Sequence, residues 1–215
     1  TGIGEILINR QTMDIIKFLK DQGAMVTFAD NFTLMSEDTI NQLIDMKVDN
    51  IFVSFDGGTK ETYESIRIGA NFEDVIQNVK NFTRIKKEKG KDLPNINLRF
   101  VPTSDNINEL PILVDLAHSM GISYIDIPPL YVVDKNTPMK AIDEDFQKYK
   151  QLSLSRAKDL NMTLSFSNPF VNENKQPIKK CVMSQNSMYI DASGFVLPCC
   201  MISQMGDYEK IIKEF

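Results

Sequence analysis

Runs of strand length alternate with amphipathic stretches of helical period over most of this 215-residue chain, and that alternation limits its fold more than any other feature. Ile15, Ile16, Phe18 and Leu19 follow a helical period that stops at Gly23. Ala24–Phe28 is a strand-length run, and Ser36 with Glu37 and Asp38 opens a second helix whose stripe is Ile40, Leu43 and Ile44. Ile51–Phe55 reads as a strand closed by Asp56-Gly57-Gly58. Val75, Ile76, Val79, Phe82 and Ile85 mark a longer helix that ends at Gly90. The pattern repeats with a strand at Ile96–Val101, a helix at Leu110–Ser119 closed by Gly121, and a strand at Ile122–Ile127 stopped by Pro128-Pro129. A helix over Phe146–Leu160 and a strand over Met162–Phe166 complete the series. Strand-helix units in series predict an α/β fold: a parallel sheet with helices outside, central strands apolar on both faces, closed or open as a barrel.

The pattern changes after Phe166. Asn168–Lys180 is polar with two prolines and reads as a linker. Met188–Asp191 and Phe195–Pro198 flank Ala192-Ser193-Gly194 as a β-hairpin, and a helix starts near Tyr208 with an apolar stripe of Ile211, Ile212 and Phe215. The expected division is therefore a barrel-like domain over 1–167 and a small extension over 168–215.

Composition narrows the function. Hydrophobic residues make up 42% of the chain, which excludes a disordered tail. With 24 basic and 29 acidic residues the net charge is -5, so no global basic field invites nucleic acid. No stretch of 18 apolar residues spans a membrane, and the first residues carry no signal pattern. An odd count of three cysteines fits a reducing, cytoplasmic compartment better than a disulfide scaffold.

In such folds ligands sit at the C-terminal ends of the strands. The residues placed there are Gly2-Ile3-Gly4-Glu5, Asp30-Asn31, Ser54 to Gly57, Arg67, Thr103 to Asn106, and Asp126 with Pro128. Glu5 and Asp56 suit an ammonium or ribose hydroxyls, and Arg67 offers a planar fork for a carboxylate or phosphate. Each also has a plain structural reading: a turn at Asp56-Gly57, a solvated helix end at Arg67, a tight turn at Gly2 and Gly4. His118, the one histidine, falls near a helix end, which argues against a Ser-His-Asp triad and a multi-histidine zinc enzyme. Cys181 precedes the hairpin and Cys199-Cys200 closes it; buried thiols, zinc ligation and iron-sulfur ligation all stay open on pattern alone.

Gly2-Ile-Gly-Glu5, a helix, a strand, Asp30-Asn31 and then Val53-Ser-Phe-Asp-Gly57 resemble the radical S-adenosylmethionine (radical SAM) enzymes. Glu61-Thr-Tyr-Glu-Ser-Ile-Arg67-Ile-Gly69, followed by the helix opening Phe72–Val75, resembles them too. Cys181, Gly194 and Cys199 are spaced like the start of the family's SPASM or twitch extension. The resemblance implies a partial (β/α)6 TIM-like barrel missing its first strand or strands, followed by a small hairpin extension. It implies S-adenosylmethionine and a 4Fe-4S cluster as cofactors, a peptide or small-molecule substrate from which hydrogen is abstracted, and an electron-donor protein. By position, Gly2 and Gly4 shape the turn before Glu5, which would bind the methionine ammonium. Ser54 and Arg67 would face the ribose and carboxylate, with Asp56 beside them. Asp30-Asn31 stands where the family has Thr-Asn-Gly, and Cys181 and Cys199, with Cys200 as a third candidate, would hold an auxiliary cluster.

Two departures matter. The family's CxxxCxxC motif is absent, and Ile6 stands where the family has Pro. The expectation is a fragment cut just after the cluster loop, inactive alone, with a sheet edge exposed to self-association. Two alternatives remain: a degenerate, non-catalytic binding module, and a metal-independent barrel enzyme using Glu5, Asp56 and Asp126 as acid-base groups.

Overall fold

A computed structural model describes residues 5–129, 143–166, 189–190 and 196–197. Five strands form one sheet: β1 (Thr27–Asp30), β2 (Asn50–Ser54), β3 (Asn95–Arg99), β4 (Tyr124–Asp126) and β5 (Thr163–Ser165). All four neighbouring pairs are parallel, and the spatial order is the chain order. A doubly wound sheet reverses its order at a switch point. This sheet does not, and crossovers of one hand then put the helices on one side, as in a partial (β/α) barrel. The helices are α1 (Thr12–Asp21), α2 (Glu37–Asp45), α3 (Lys60–Ile66), α4 (Phe72–Glu88), α5 (Leu110–Ser119) and α6 (Asp143–Asp159). Two two-residue strands, β6 (Tyr189–Ile190) and β7 (Val196–Leu197), pair antiparallel in a separate compact unit, as the hairpin pattern predicts. The expected helix from Tyr208 lies outside the described residues.

Local chemistry sets the element ends. Ser36 Oγ accepts from Thr39 N at the start of α2, and Asn71 Oδ1 accepts from Asp74 N at the start of α4. Gly23 and Gly121 end α1 and α5 with φ of 76° and 78°, a conformation that penalises a side chain. β1 begins three residues later than its apolar run suggests. Ala24 N is spent on Leu19 O in closing α1, and Val26 N donates to the Asp49 carboxylate, which also takes Lys20 Nζ. Ladder pairing starts only at Thr27, opposite Asn50. The helix α3 carries no long stripe of its own and is not among the helices that the periodicity predicts.

The faces of the sheet also differ from expectation. Phe28, Ile51, Val53, Ile96, Leu98 and Ile125 share one face and are buried in one core with Ile40, Leu43, Ile44, Val75, Val79 and Phe82. The other face is not apolar. Register puts Asn50, Phe52 and Ser54 of β2 beside Asn95, Asn97 and Arg99 of β3, all of them only partly buried or exposed. A packed barrel interior is filled by branched apolar side chains. Among the described residues, the inner face is therefore not a second apolar core.

Gly57 shows why the turn after β2 is more than a turn. A Cβ there would lie 2.5 Å from Tyr63 N and 2.8 Å from Tyr63 Cα, both backbone atoms. The α3 backbone packs directly against the strand end, so Gly57→Ala must push α3 away. We expect a loss of about 1–3 kcal/mol, the range for overpacking, measured by urea denaturation.

Candidate functional site

Two groups of polar residues gather at the C-terminal ends of β1 and β2. At β1, the backbone N of Asn31 donates to Glu5 Oε2 at 3.1 Å, so the segment carrying Glu5 is tied to the strand end. Asp30 is 3% exposed; its Oδ1 accepts from Phe32 N at 2.7 Å, while Oδ2 is buried with no partner. Burial, opposed by the Phe32 N–H and helped by the neighbouring Glu5 carboxylate, pushes its carboxyl up to about 6. Asn31 Oδ1 accepts from Thr33 N and Thr33 Oγ1, a side-chain-closed turn. Phe32 takes φ 63°, left-handed backbone, where the Thr-Asn-Gly pattern has its glycine. Its ring is fully buried, 6.0 Å from that of Phe82, and Asn78 Nδ2 donates to its carbonyl. Packing and two anchors hold a backbone conformation that costs roughly 1–2 kcal/mol.

At β2, Asp56 and Arg67 form an ion pair in which the carboxylate is buried and the guanidinium half-buried. Asp56 Oδ2 accepts from Arg67 Nε at 2.8 Å and from Nη2, and Oδ1 accepts from Val101 N at 2.8 Å. The Asp56 carboxyl is thus spent on protein donors, and its direct role is to hold Arg67. Arg67 is not a solvated helix end: its side chain is 31% exposed and gripped along one edge. Asn106 Nδ2 donates to the Asp56 and Val101 carbonyls and Oδ1 accepts from Thr103 N, locking the loop after β3 beneath the pair.

The sequence gives no sign of two further contributors. Glu109 is buried and takes Gly58 N, Thr59 N, Thr59 Oγ1 and Thr62 Oγ1 at 2.5–3.0 Å. It caps α3 from some fifty residues away, so no local spacing reveals it. Tyr63 is fully buried, its ring tilted against those of Phe55 at 4.6 Å and Phe72 at 5.6 Å, and its hydroxyl has no hydrogen-bond partner. Burial raises its phenol to about 12; the Arg67 charge pulls the other way, and Asp56 and Glu5 add to the rise. Register sets Asp30 beside Val53, so Glu5, tied to Asn31, and the Asp56–Arg67 pair after β2 lie at the same end of the sheet.

On the inner face, register aligns Ser54, Arg99, Asp126 and Ser165 in a single row at the ends of β2 to β5. Arg99 Nε and Nη2 each lie 2.9 Å from Asp126 Oδ2, and its guanidinium stacks 4.4 Å from the Phe52 ring centre. Asp56 and Asp126, two of the three acid-base groups of the metal-independent alternative, are each paired to an arginine. His118 is exposed in the last turn of α5, at the opposite end of the sheet from these residues. A groove of about 640 Å³ at that opposite end, lined by Lys80, Arg84, Lys87 and Asn97, touches none of the residues above. Gly2, Gly4, Cys181, Cys199 and Cys200 lie outside the described residues. Among the described residues no group of three or more His, Cys, Asp or Glu is placed to hold a metal, and no helix is long and apolar enough to cross a membrane.

Two stability predictions follow from these contacts. The Asp30 carboxyl titrates at 3.8 ordinarily and at about 6 in the fold. Between those values the folded chain holds a proton that the unfolded chain has released, so stability falls as pH rises through the window. Above it the fold carries a buried charge costing up to about 3 kcal/mol. Asp30→Asn keeps the acceptor for Phe32 N and removes the charge. It should raise stability at about pH 7–8, the gain vanishing below about pH 4 in urea titrations. Glu109→Ala should cost about 3 kcal/mol, because four donors lose a charged acceptor. Burial raises the Glu109 carboxyl, but the hydrogen bonds from Thr62, Thr59 and Gly58 outweigh it and hold it below its usual range. Its contribution is present above the ordinary carboxylate range and is lost as pH falls through the lowered value, so the gap between wild type and Glu109→Ala should close in acid.

No protein-family model matches the chain. Over 122 residues it is 26% identical to the tungsten-containing aldehyde ferredoxin oxidoreductase cofactor-modifying protein of Pyrococcus furiosus, covering 56% of this chain and 34% of that protein. Streptococcus suis SuiB bound to S-adenosylmethionine superposes with a TM-score of 0.71 at 17% identity, over 93% of this chain and 48% of SuiB. SuiB bound to its precursor peptide SuiA gives 0.73 at 16% identity, also over 93% of this chain and 48% of SuiB. A radical SAM methyltransferase from Sphaerobacter thermophilus gives 0.56 at 16% identity, over 77% of this chain and 49% of that protein. The chain thus spans about a third of the curated relative and about half of the solved structures. With five sequentially ordered parallel strands, helices on one side and a polar strand-end site, the chain has the fold of the radical SAM superfamily.

Proposed function

We propose that this chain is the S-adenosylmethionine-handling barrel segment of a radical SAM enzyme, with the barrel over 1–167 and a cluster-binding extension over 168–215. The observation that carries this reading is charge placement. A carboxyl pair, Glu5 and Asp30, stands at the end of β1, and a guanidinium, Arg67, stands by the end of β2. The amino-acid end of S-adenosylmethionine carries an ammonium and a carboxylate side by side, which such a pair of neighbouring charges matches.

The residues fit that group. Asp30 Oδ2 is a buried acceptor without a donor, and Arg67 Nη1 has no acceptor among the described residues. Glu5 would take the ammonium, Arg67 the carboxylate, and Ser54 a ribose hydroxyl, with Asn31 and the turn at Gly2 and Gly4 shaping the near wall. Asp56 holds the Arg67 fork in place while its exposed edge meets the ligand. Bound S-adenosylmethionine, reduced by a 4Fe-4S cluster, supplies the radical that takes hydrogen from a substrate. The chain's own part is to orient that ligand and to exclude water from it. Cys181 and Cys199, with Cys200 as the third candidate, would hold an auxiliary cluster, and a protein donor would supply electrons to the whole enzyme.

A peptide substrate is the reading we favour within the broader class of peptides and small molecules. The polar inner row sets the hydroxyl residues Ser54 and Ser165 on either side of the Arg99–Asp126 pair, a lining suited to amides, and SuiB has been solved with a precursor peptide.

Calorimetry with S-adenosylmethionine tests the proposal. The folded chain should bind it, and Glu5→Ala and Arg67→Ala should each weaken binding about tenfold or more, the factor for one lost charge-assisted contact. After anaerobic treatment with iron, sulfide and dithionite, the chain alone should release no 5'-deoxyadenosine. Failure of a folded chain to bind S-adenosylmethionine would overturn the reading. Binding to both variants at wild-type strength would remove these residues from it.

A further inference from the structure

We propose that Asp30 and Glu5 hold a single proton between their carboxyls, and that this proton is released to solvent when a cationic group binds against Glu5. The first half concerns the chain alone. The second rests on the S-adenosylmethionine reading, which supplies the cation as the methionine ammonium.

The geometry comes first. Asp30 is almost wholly buried at the last position of β1, and one of its oxygens is satisfied by Phe32 N. The other, Oδ2, has no donor. A buried acceptor left without a donor is expensive, and native structures rarely leave one so. Asn31, the next residue, donates its backbone N–H to Glu5 Oε2, which fixes the Glu5 carboxyl beside Asp30. Two carboxylates side by side in a buried position repel. One proton between them removes the repulsion and gives both groups a partner: Oδ2–H of Asp30 donates to the Glu5 carboxylate. The raised Asp30 carboxyl agrees with that arrangement, its causes being burial and the Glu5 charge.

Among the described residues, the charged neighbours on other elements do not supply an alternative donor. Arg67, just after α3, is turned onto Asp56 of the β2 end. Tyr63, on α3, lies within the field of Glu5, but its hydroxyl makes no hydrogen bond and so does not cap Asp30. From α4, Asn78 reaches the Phe32 carbonyl and not the carboxyl. Glu5 is thus the charge that acts on Asp30.

The consequence for ligand binding is a matter of linkage. With the proton in place the pair carries one negative charge; without it, two. A cation brought against Glu5 favours the doubly ionised pair, so the proton leaves Asp30 Oδ2 for the buffer and the cation takes its place. Affinity must then rise with pH through the range where Asp30 titrates and level off above it. Asp30→Asn, a permanent donor to Glu5 that cannot ionise, should lose this dependence.

Two measurements on the full chain separate the halves. Carboxyl carbon NMR titration without ligand should show Asp30 and Glu5 responding together, with an upper step well above the usual carboxylate range that disappears in Asp30→Asn. Titration of Asp30 as an ordinary, independent carboxyl overturns the shared proton. Calorimetry with S-adenosylmethionine in buffers of different ionisation enthalpy, near pH 6, should report proton release for wild type and none for Asp30→Asn. Wild-type affinity should rise about tenfold between about pH 5 and 7.5, the factor for a one-unit drop in the proton's affinity, and the variant's should stay flat. Binding without proton release, in a chain whose Asp30 does titrate high, overturns the release step. No binding at any pH, with the coupled titration intact, overturns the S-adenosylmethionine reading and leaves the shared proton standing.

Discussion

The Asp56 carboxyl ties together three segments that no local interaction would bring to one place. One oxygen holds the Arg67 guanidinium at the end of α3, and the other holds the backbone of Val101 after β3. Its own carbonyl receives Asn106 from the loop beyond. The strand end of β2, the helix α3 and the β3 loop are therefore one unit, built around a single negative charge. Gly57 allows the close approach that this requires, and Glu109 closes the assembly from the far side by taking four donors at the start of α3. A carboxylate at each end of α3 fixes its position, and with it the direction in which Arg67 projects.

Much of this architecture was legible in the sequence because strands and long helices write themselves in local periodicity. The stripes of α2 and α4, the run Ile51–Phe55 and the glycines after α1 and α5 all occur close to where their patterns place them. Errors arose where a non-local bond competed with pattern. The run Ala24–Phe28 loses its first residues to the closure of α1 and to Asp49, a residue some twenty positions later. The inner sheet face was misjudged because central parallel strands were expected to be apolar on both sides. Asn50, Ser54, Asn95, Asn97 and Arg99 instead alternate with the core residues, and that alternation was present in the sequence as a period-two pattern.

The site was legible in its residue types and not in its partnerships. Glu5, Asp30, Asn31, Asp56 and Arg67 stood out as polar groups at strand ends, and they lie there. Which carboxylate is neutralised by an arginine and which is left beside another carboxylate depends on side-chain directions that spacing does not encode. Glu109 and Tyr63 were invisible for the same reason: one acts across about fifty residues, and the other looks like any core aromatic until its hydroxyl is found without a partner.

The described strand ends thus sort into two electrostatic kinds. At β2 and at β4 an aspartate is matched by an arginine, Asp56 by Arg67 and Asp126 by Arg99, and each pair is near neutral as built. At β1 two carboxyls meet with backbone amides as their only donors, and the more buried of them keeps an oxygen with none. A fold selected for stability alone would replace that aspartate with a neutral residue, since burying its charge works against folding at neutral pH. The β1 end keeps instead a negative charge that the described residues do not balance. Such an imbalance costs stability in the empty protein, and on the proposed reading the same carboxyls that weaken the fold would favour a cation arriving from outside.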